Sequence, residues 1–386
     1  MKILIVTETL LTGGAEWFVL RLCDALADRG HSVALYILRP DLVDERLTRS
    51  YRSVQTQHAP VWKVKLGVFL DRIIRKLGLS YSLLELLNSD DIRKHITNNS
   101  PDVIHSHLLP CDITVLKANT GLGTRHITTI HGDYIQGIKD GDKAMEANIR
   151  KAAIALDKVV VISEEQVSIL SGYSGLLKAK LCKIYNGYPS PDPALQSPSK
   201  ETFNFGMIAR AIPEKGWEPS IKAFIRIKDP NVRLYLYGEG AYLEELRTKY
   251  PDQRIEFPGF SEQPLVAISN IHVGLLTSYY NAESLPTTII EYLAMSKPVI
   301  VSTVGEIPRM IKTDTQDLAG IIINSLDPEE MVEPIYQAMN RLMIDTDLYE
   351  KLASNCESAF KKFSMDKCLD AYLSVYKTKS FQQCAA

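Results

Sequence analysis

The chain has 386 residues, 45% of them hydrophobic and 23% charged, with a formal net charge of -2. That length and balance favour two globular domains with separate cores. Split near residue 190, the first part carries 24 Lys and Arg against 20 Asp and Glu (+4), and the second carries 20 against 26 (-6). This mild asymmetry lets the N-terminal part face an anionic surface and excludes a nucleic-acid binder built on a basic stripe.

The cysteines Cys23, Cys111, Cys182, Cys356, Cys368 and Cys384 show no paired spacing and read as reduced thiols of a cytosolic protein. The apolar run at the N-terminus is too short for a signal peptide, and none approaches bilayer length. The expectation is a cytoplasmic protein, with peripheral attachment to the inner face of the plasma membrane left open.

Lys2–Val6 reads as a strand, Gly13-Gly14 as a turn, and Phe18, Leu22 and Leu26 as the buried stripe of a helix. Ser32–Leu38 is again strand-like, so the chain opens as βαβ. Asp102–Ser106, Ile127–Ile130 and Lys158–Ile162 continue the pattern. It restarts at Phe203–Ile208, then Val232–Tyr237, Ile255–Phe257, Val273–Leu276 and Pro298–Ser302. Apolar strands alternating with helices imply parallel sheets covered on both faces. The proline-rich Gly187–Pro193 segment, with Pro198 behind it, reads as a hinge. The expected architecture is α/β: two doubly wound, Rossmann-like domains facing across a cleft, with ligands at the carboxyl ends of the strands.

Candidate site residues fall in loops that follow strands. Gly13-Gly14-Ala15-Glu16 opens a helix, where two glycines let backbone N–H groups approach a phosphate; a plain turn is the alternative. Val61–Leu77 is basic and apolar, with Trp62, Lys63, Lys65, Arg72, Arg75 and Lys76. It suits either an anionic membrane surface or a surface helix whose apolar side packs on its own domain. His105 and His107 end one strand and His131 the next. Three histidines at one sheet edge admit a metal site, but no carboxylate or cysteine spacing supports one. His131 touching a sugar hydroxyl is favoured instead, and His105 is expected in the core.

Arg210 ends the first strand of the second half, with Glu214-Lys215-Gly216 close behind. A planar Arg fork and a Lys point charge can neutralise a diphosphate without a metal ion; two solvated cations are the bland alternative. Gly238-Glu239-Gly240 begins a dinucleotide fingerprint, but Leu243 stands where the third glycine belongs, so a nicotinamide site is disfavoured. Glu283 and Glu291 are eight apart, with Pro286 between them. Proline suits a helix start. The helix therefore runs from Thr287 to about Ser296, with Glu283 just ahead of it and Glu291 on its second turn. Its free N–H groups form an anion site. A carboxylate amid Ile289, Ile290 and Leu293 is costly unless it is paired or bound to something, and two Glu at this spacing also occur by chance.

In this order, these segments resemble the retaining glycosyltransferases of family 4, which have the GT-B fold. Further matches are Ile104–His107, Ile130-His131-Gly132, Ile162-Ser163-Glu164, Asn186-Gly187, Pro258-Gly259-Phe260 and Lys297–Ile300. The resemblance implies an acceptor domain at 1–188, a linker at 189–199, a donor domain at 200–364, and a helix at about 365–380 packing back on the first domain. It implies that Arg210 and Lys215 hold the diphosphate of a UDP-sugar or GDP-sugar, and that Gly14 touches it from the opposite domain. Glu291 would bind the ribose, and Glu283 the sugar, helped by the segment Ser284, Leu285, Pro286 and Thr287 through its backbone N–H groups, which Pro286 alone lacks. Gly238 would lie near the nucleotide, Gly259 and Phe260 near the base, and His131 at the reacting sugar, with His107 on the acceptor side. Catalysis would rest on His131, Glu283, Arg210 and Lys215, with no cofactor and no metal. The acceptor would be a glycan or a lipid-linked acceptor. Ala209, Ser296 and Gly132 depart from the residues more frequent in the family. A non-catalytic nucleotide or sugar binder on the same fold is the rival.

Overall fold

Short runs of Val, Ile and Leu become the buried central strands of two parallel sheets, because strands covered on both faces need apolar residues throughout. The computed structural model describes all residues except 12, 51–54, 80, 133–136, 139, 174, 196–197, 199–200, 281–282 and 379–386, and only the backbone at 48–50 and 176–177. Asp133, Cys384, part of the expected linker and the end of the expected last helix lie outside the described residues.

The first sheet has seven strands: β1 (Lys2–Thr7), β2 (Ser32–Ile37), β3 (Gln55–Gln57), β4 (Val103–His107), β5 (Arg125–Ile130), β6 (Lys158–Val161) and β7 (Leu181–Lys183). Their order is β3-β2-β1-β4-β5-β6-β7. The second has six: β8 (Phe203–Ile208), β9 (Val232–Tyr237), β10 (Ile255–Glu256), β11 (Val273–Leu276), β12 (Val299–Ser302) and β13 (Gly320–Ile323), in the order β10-β9-β8-β11-β12-β13. All the strand pairs are parallel. Each sheet is doubly wound, as expected. Strand order reverses between β1 and β4, and between β8 and β11. These are the crevices where such folds bind ligands. The strands not foreseen, β3, β7 and β13, are short outer strands whose few residues carry little periodicity.

The chain divides into two compact units, Met1–Gly187 with Met365–Ala386, and Tyr188–Ser364. The helix Gly14–Asp28 buries the expected Phe18, Leu22 and Leu26. In the same core lie Cys368, Leu369, Tyr372 and Tyr376 of the final helix, Met365–Lys377. That helix belongs to the first unit because its apolar stripe completes the first core; each such side chain contributes roughly 2 kcal/mol of burial. Gly187 permits the return, since a Cβ there would lie 2.7 Å from Cys368 Cβ. The second core gathers Phe205, Trp217, Phe224, Leu234, Leu275 and Ile335, among others.

Candidate functional site

In the second unit, the loops after β8, β11 and β12 meet at the strand-order reversal. The β8 loop carries Arg210, Glu214 and Lys215, and the β11 loop carries Tyr280 and Glu283. Lys215 Nζ forms an ion pair with Glu283 Oε1. Lys215 and Glu283 are only 8% and 6% exposed, so neither charge is merely a solvated loop residue. Breaking such a buried pair from one side is costly, because the remaining charge has no compensation. The Tyr280 ring lies under both cations, with Lys215 Nζ at 5.2 Å and Arg210 Cζ at 5.7 Å from its centroid. A ring face attracts cations at such distances.

The scaffold around the pair is tightly specified. Gly216 has φ +84, and a Cβ there would sit 2.1 Å from the Thr277 carbonyl oxygen. Thr277 Oγ1 donates to the Gly216 carbonyl at 3.0 Å, Ser278 Oγ to the Glu214 carbonyl at 3.1 Å, and the Tyr279 amide to the same carbonyl at 2.8 Å. These bonds lace the β8 loop to the β11 loop. On the other side, Gly305 has φ +56, and a Cβ would lie 1.8 Å from the Glu283 carbonyl oxygen. The Glu306 amide also donates to the Ser284 carbonyl at 3.3 Å. Glu283 is thereby held from three loops.

The helix Thr287–Ala294 starts where Pro286 predicts and ends two residues short of Ser296, which takes the left-handed φ of +55. Its first residues find no side-chain cap among the described residues, and Ile289 N–H already donates to the Pro286 carbonyl at 3.1 Å, which leaves the Thr287 and Thr288 N–H groups to face an anion. Glu291 is buried within its apolar face, at 6% exposure. Thr288 Oγ1 donates to the Ile208 carbonyl at 3.1 Å and the Tyr292 hydroxyl to the Gly206 carbonyl at 3.2 Å, which fixes the helix against β8. Gly238 donates its amide to the Gly259 carbonyl at 3.0 Å, joining the β9 and β10 loops. Gly259 has φ +86, and Phe260 is 38% exposed. The structure thus brings Arg210, Lys215 and Glu283 together and sets Glu291 on the adjoining helix. Tyr280, Thr277 and Gly305 were missed; no motif marks them, and only the strand order makes them neighbours.

In the first unit, Gly14 starts the first helix at the end of β1. His105 is fully buried, as expected, with Nε2 2.8 Å from Thr129 Oγ1 and Nδ1 2.7 Å from the Tyr376 hydroxyl. Both nitrogens are therefore occupied. Among the described residues there is no group of three or more His, Cys, Asp and Glu side chains arranged to hold a metal. His107 Nδ1 lies 2.9 Å from His131 Nε2, with the rings stacked. Burial pushes His131 down to about 4. Burial and the neighbouring histidines push His105 to about 3. His107 is lowered by burial, then by His105 and His131. All three are neutral imidazoles at neutral pH. Behind them, burial raises Asp112 to about 7; its carboxylate accepts from Ser106 Oγ, which also meets His126 Nε2 at 2.7 Å.

A cavity of about 340 Å³ opens at the β1/β4 reversal, lined by Glu8, Leu38, Arg39, Asn88, Leu109 and Met145, among others. Asn88 donates Nδ2 to the Leu38 carbonyl at 3.2 Å, and its buried Oδ1 has no partner among the described residues. Just before Leu109, Leu108 holds a φ of +73.

The basic stretch forms the helix Val61–Lys76. Val64, Gly67 and Asp71 are buried, with Val68, Leu70 and Ile74 half-buried beside them, so only part of its apolar residues is covered. Asp71 accepts from Ser82 Oγ at 2.7 Å and the Leu83 amide at 2.6 Å. Trp62, Phe69 and Leu77 stay 65%, 58% and 70% exposed, beside the basic side chains. Among the described residues no helix is long and apolar enough to cross a membrane.

Comparison with known proteins agrees with this geometry. The model of Glycosyltransferase Family 4 matches residues 12–190, and that of Glycosyl transferases group 1 matches residues 202–341. An uncharacterised glycosyltransferase of Methanocaldococcus jannaschii is 27% identical over 315 residues, spanning 78% of this chain and 82% of that protein. The lipopolysaccharide core biosynthesis glycosyltransferase LpsE of Rhizobium meliloti is 27% identical over 177 residues, 45% of this chain and 49% of its own. The Anabaena protein HepE, crystallised with UDP and glucose, superposes with a TM-score of 0.73 at 17% identity, covering 97% of this chain and 99% of its own. Two family models matched in sequence order, on two doubly wound units, make this chain a glycosyltransferase of the GT-B type.

Proposed function

We propose that the chain is a retaining, metal-independent family 4 enzyme. It would transfer a sugar from a UDP-sugar or GDP-sugar to a hydroxyl of a glycan or lipid-linked acceptor during surface polysaccharide or glycolipid synthesis. The observation that carries the reading is the sealed Lys215–Glu283 pair beside Arg210 and an uncapped helix start. Cations and free N–H groups at one place suit a diphosphate leaving group. The carboxylates of Glu283 and Glu291 suit sugar and ribose hydroxyls. By the resemblance, Ser284–Thr287 meet the sugar, Gly238 the nucleotide, Gly259 and Phe260 the base, and Gly14 and His131 the donor.

In this mechanism the acceptor hydroxyl attacks from the face the nucleotide leaves, through an oxocarbenium-like state. The departing diphosphate takes the hydroxyl proton, and Arg210 and Lys215 stabilise the charge it gains. Glu283 positions and stabilises the sugar without bonding to it.

The acceptor is assigned to the first unit, at the cavity beside Asn88 and on the side of His107. The helix Val61–Lys76, carrying Trp62, Lys63, Lys65, Arg72, Arg75 and Lys76, is assigned to an anionic membrane. LpsE, whose name places it in lipopolysaccharide core synthesis, supports the surface-glycan setting.

The test is a panel of UDP- and GDP-sugars with candidate acceptors in EDTA, followed by NMR. Release of one nucleoside diphosphate with the donor's anomeric configuration kept in the product supports the reading. An inverted product, or turnover only with added metal, contradicts it.

A further inference from the structure

β4 and β5 pair in register with His105 opposite Ile127 and His107 opposite Thr129. The side-chain bonds run one step ahead of that register. His105 reaches Thr129, and His107 reaches His131 just past the end of β5, each two residues beyond its registered partner. His105 and His107 share a face because side chains alternate along a strand. The two bonds are therefore successive rungs of one diagonal ladder. Its inner rung is tied off by the final helix, since Tyr376 meets His105 and the Tyr372 hydroxyl lies 2.9 Å from Thr129 Oγ1. Its outer rung is flanked by Phe18, whose ring centroid is 6.3 Å from that of His107 and 5.8 Å from that of His131.

The outer rung has a polarity that the surroundings select. His107 is 1% exposed, and its Nε2 is buried with no partner among the described residues. In a bond between two neutral rings, one nitrogen donates and the other accepts. If His131 donated from Nε2, the single proton of His107 would sit on Nε2, as a sealed N–H with no acceptor. A stranded buried N–H is the costlier orphan. If His107 donates from Nδ1, only a lone pair is left unmet. The half-buried His131 then accepts at Nε2 and carries its own proton on Nδ1, a nitrogen with no bond among the described residues.

We infer that His107 is a positioning residue: its Nδ1–H locks His131 as the Nδ1–H tautomer, so that His131 meets the donor sugar as a hydrogen-bond donor. This rests on the assignment of His131 to the sugar, but the tautomer itself does not depend on it. The lowered proton affinity of both rings keeps them neutral at working pH, as a fixed tautomer requires. A ring held by packing and one bond loses no orientation on binding, which is the benefit of preorganisation.

The experiment is 15N NMR of the full chain labelled at histidine, on wild type, His107→Leu and His107→Asn, with kinetics on the same samples. An asparagine Nδ2 can occupy the place of the imidazole Nδ1–H, so His107→Asn should keep the tautomer. Wild type is expected to show His131 protonated at Nδ1, and His107→Leu to release it toward Nε2–H. In His107→Leu, kcat should fall by about 10- to 100-fold, the loss of one hydrogen bond in the transition state. The donor KM should change by less than about threefold, because the ground-state contacts remain. His107→Asn should restore most of kcat. Circular dichroism melts of both variants separate these effects from unfolding. Wild-type His131 protonated at Nε2, or a tautomer unmoved in folded His107→Leu, overturns the inference. A tautomer that moves while kcat does not overturns the assignment of His131 to the sugar instead.

Discussion

Lys215 and Glu283 neutralise each other inside the second unit, with Tyr280 beneath the ammonium. Lys215→Met is therefore expected to destabilise by about 3–5 kcal/mol, because it strands a buried carboxylate. The double variant Lys215→Met with Glu283→Gln should recover most of that stability and none of the activity. Urea melts and donor turnover measured together check this; recovery of activity in the double variant would contradict the assigned roles.

Gly305 stands against the Glu283 carbonyl, in a left-handed conformation. Gly305→Ala must push the Glu283 loop away and strain its own backbone, at a cost of about 1–3 kcal/mol. We expect at least a tenfold loss of donor affinity in a protein that still melts cooperatively. Calorimetric titration reads it, and unchanged affinity would show that the position of Glu283 does not matter to the donor.

The first unit should weaken in mild acid. His105 and His126, each lowered to about 3 by burial, bind fewer protons folded than unfolded below the ordinary histidine value. Their depressed values give stability that is complete above about pH 6.5 and is lost as pH falls toward 3, at about 2 kcal/mol each by pH 5. Asp112, raised to about 7, works in the opposite sense: its contribution grows as pH falls from about 7 to the ordinary carboxyl value. It offsets about one histidine, while His107 and His131, lowered as well, add to the loss, so a net fall in stability between pH 7 and 5 is expected from urea midpoints. Replacing Asp112 by Asn should steepen that loss.

The exposed Trp62, Phe69 and Leu77 surface should bind vesicles containing anionic lipid and ignore neutral ones. Replacing Lys63, Lys65, Arg72, Arg75 and Lys76 with glutamine should remove about 1 kcal/mol per charge. Vesicle sedimentation decides it: binding that survives all five changes, or none at the outset, excludes the membrane role.

Much of this was legible in the sequence because local chemistry determined it. Phe18, Leu22 and Leu26 marked one helix face, and Pro286 marked the start of another, which placed Glu283 in a loop and Glu291 on a buried face. Central strands announced themselves through unbroken Val, Ile and Leu, whereas the edge strands Gln55–Gln57 and Leu181–Lys183 did not. What stayed hidden depends on register. Tyr280 joins Lys215 only because β11 lies beside β8, and Tyr376 reaches His105 only because the last helix returns to the first core. The outward turn of Trp62 and Phe69 was hidden for a related reason. Val64, Gly67 and Asp71 proved to be the packing stripe, and nothing in the spacing ranks an aspartate above a tryptophan for burial.

The most direct test of the donor site is calorimetric titration of the wild type and Arg210→Ala with UDP, GDP, ADP and NAD in EDTA. The account predicts that UDP or GDP binds without metal and that Arg210→Ala weakens it at least tenfold, the value of a charge-assisted contact to phosphate. Binding of NAD alone, or nucleotide binding indifferent to Arg210, would contradict it.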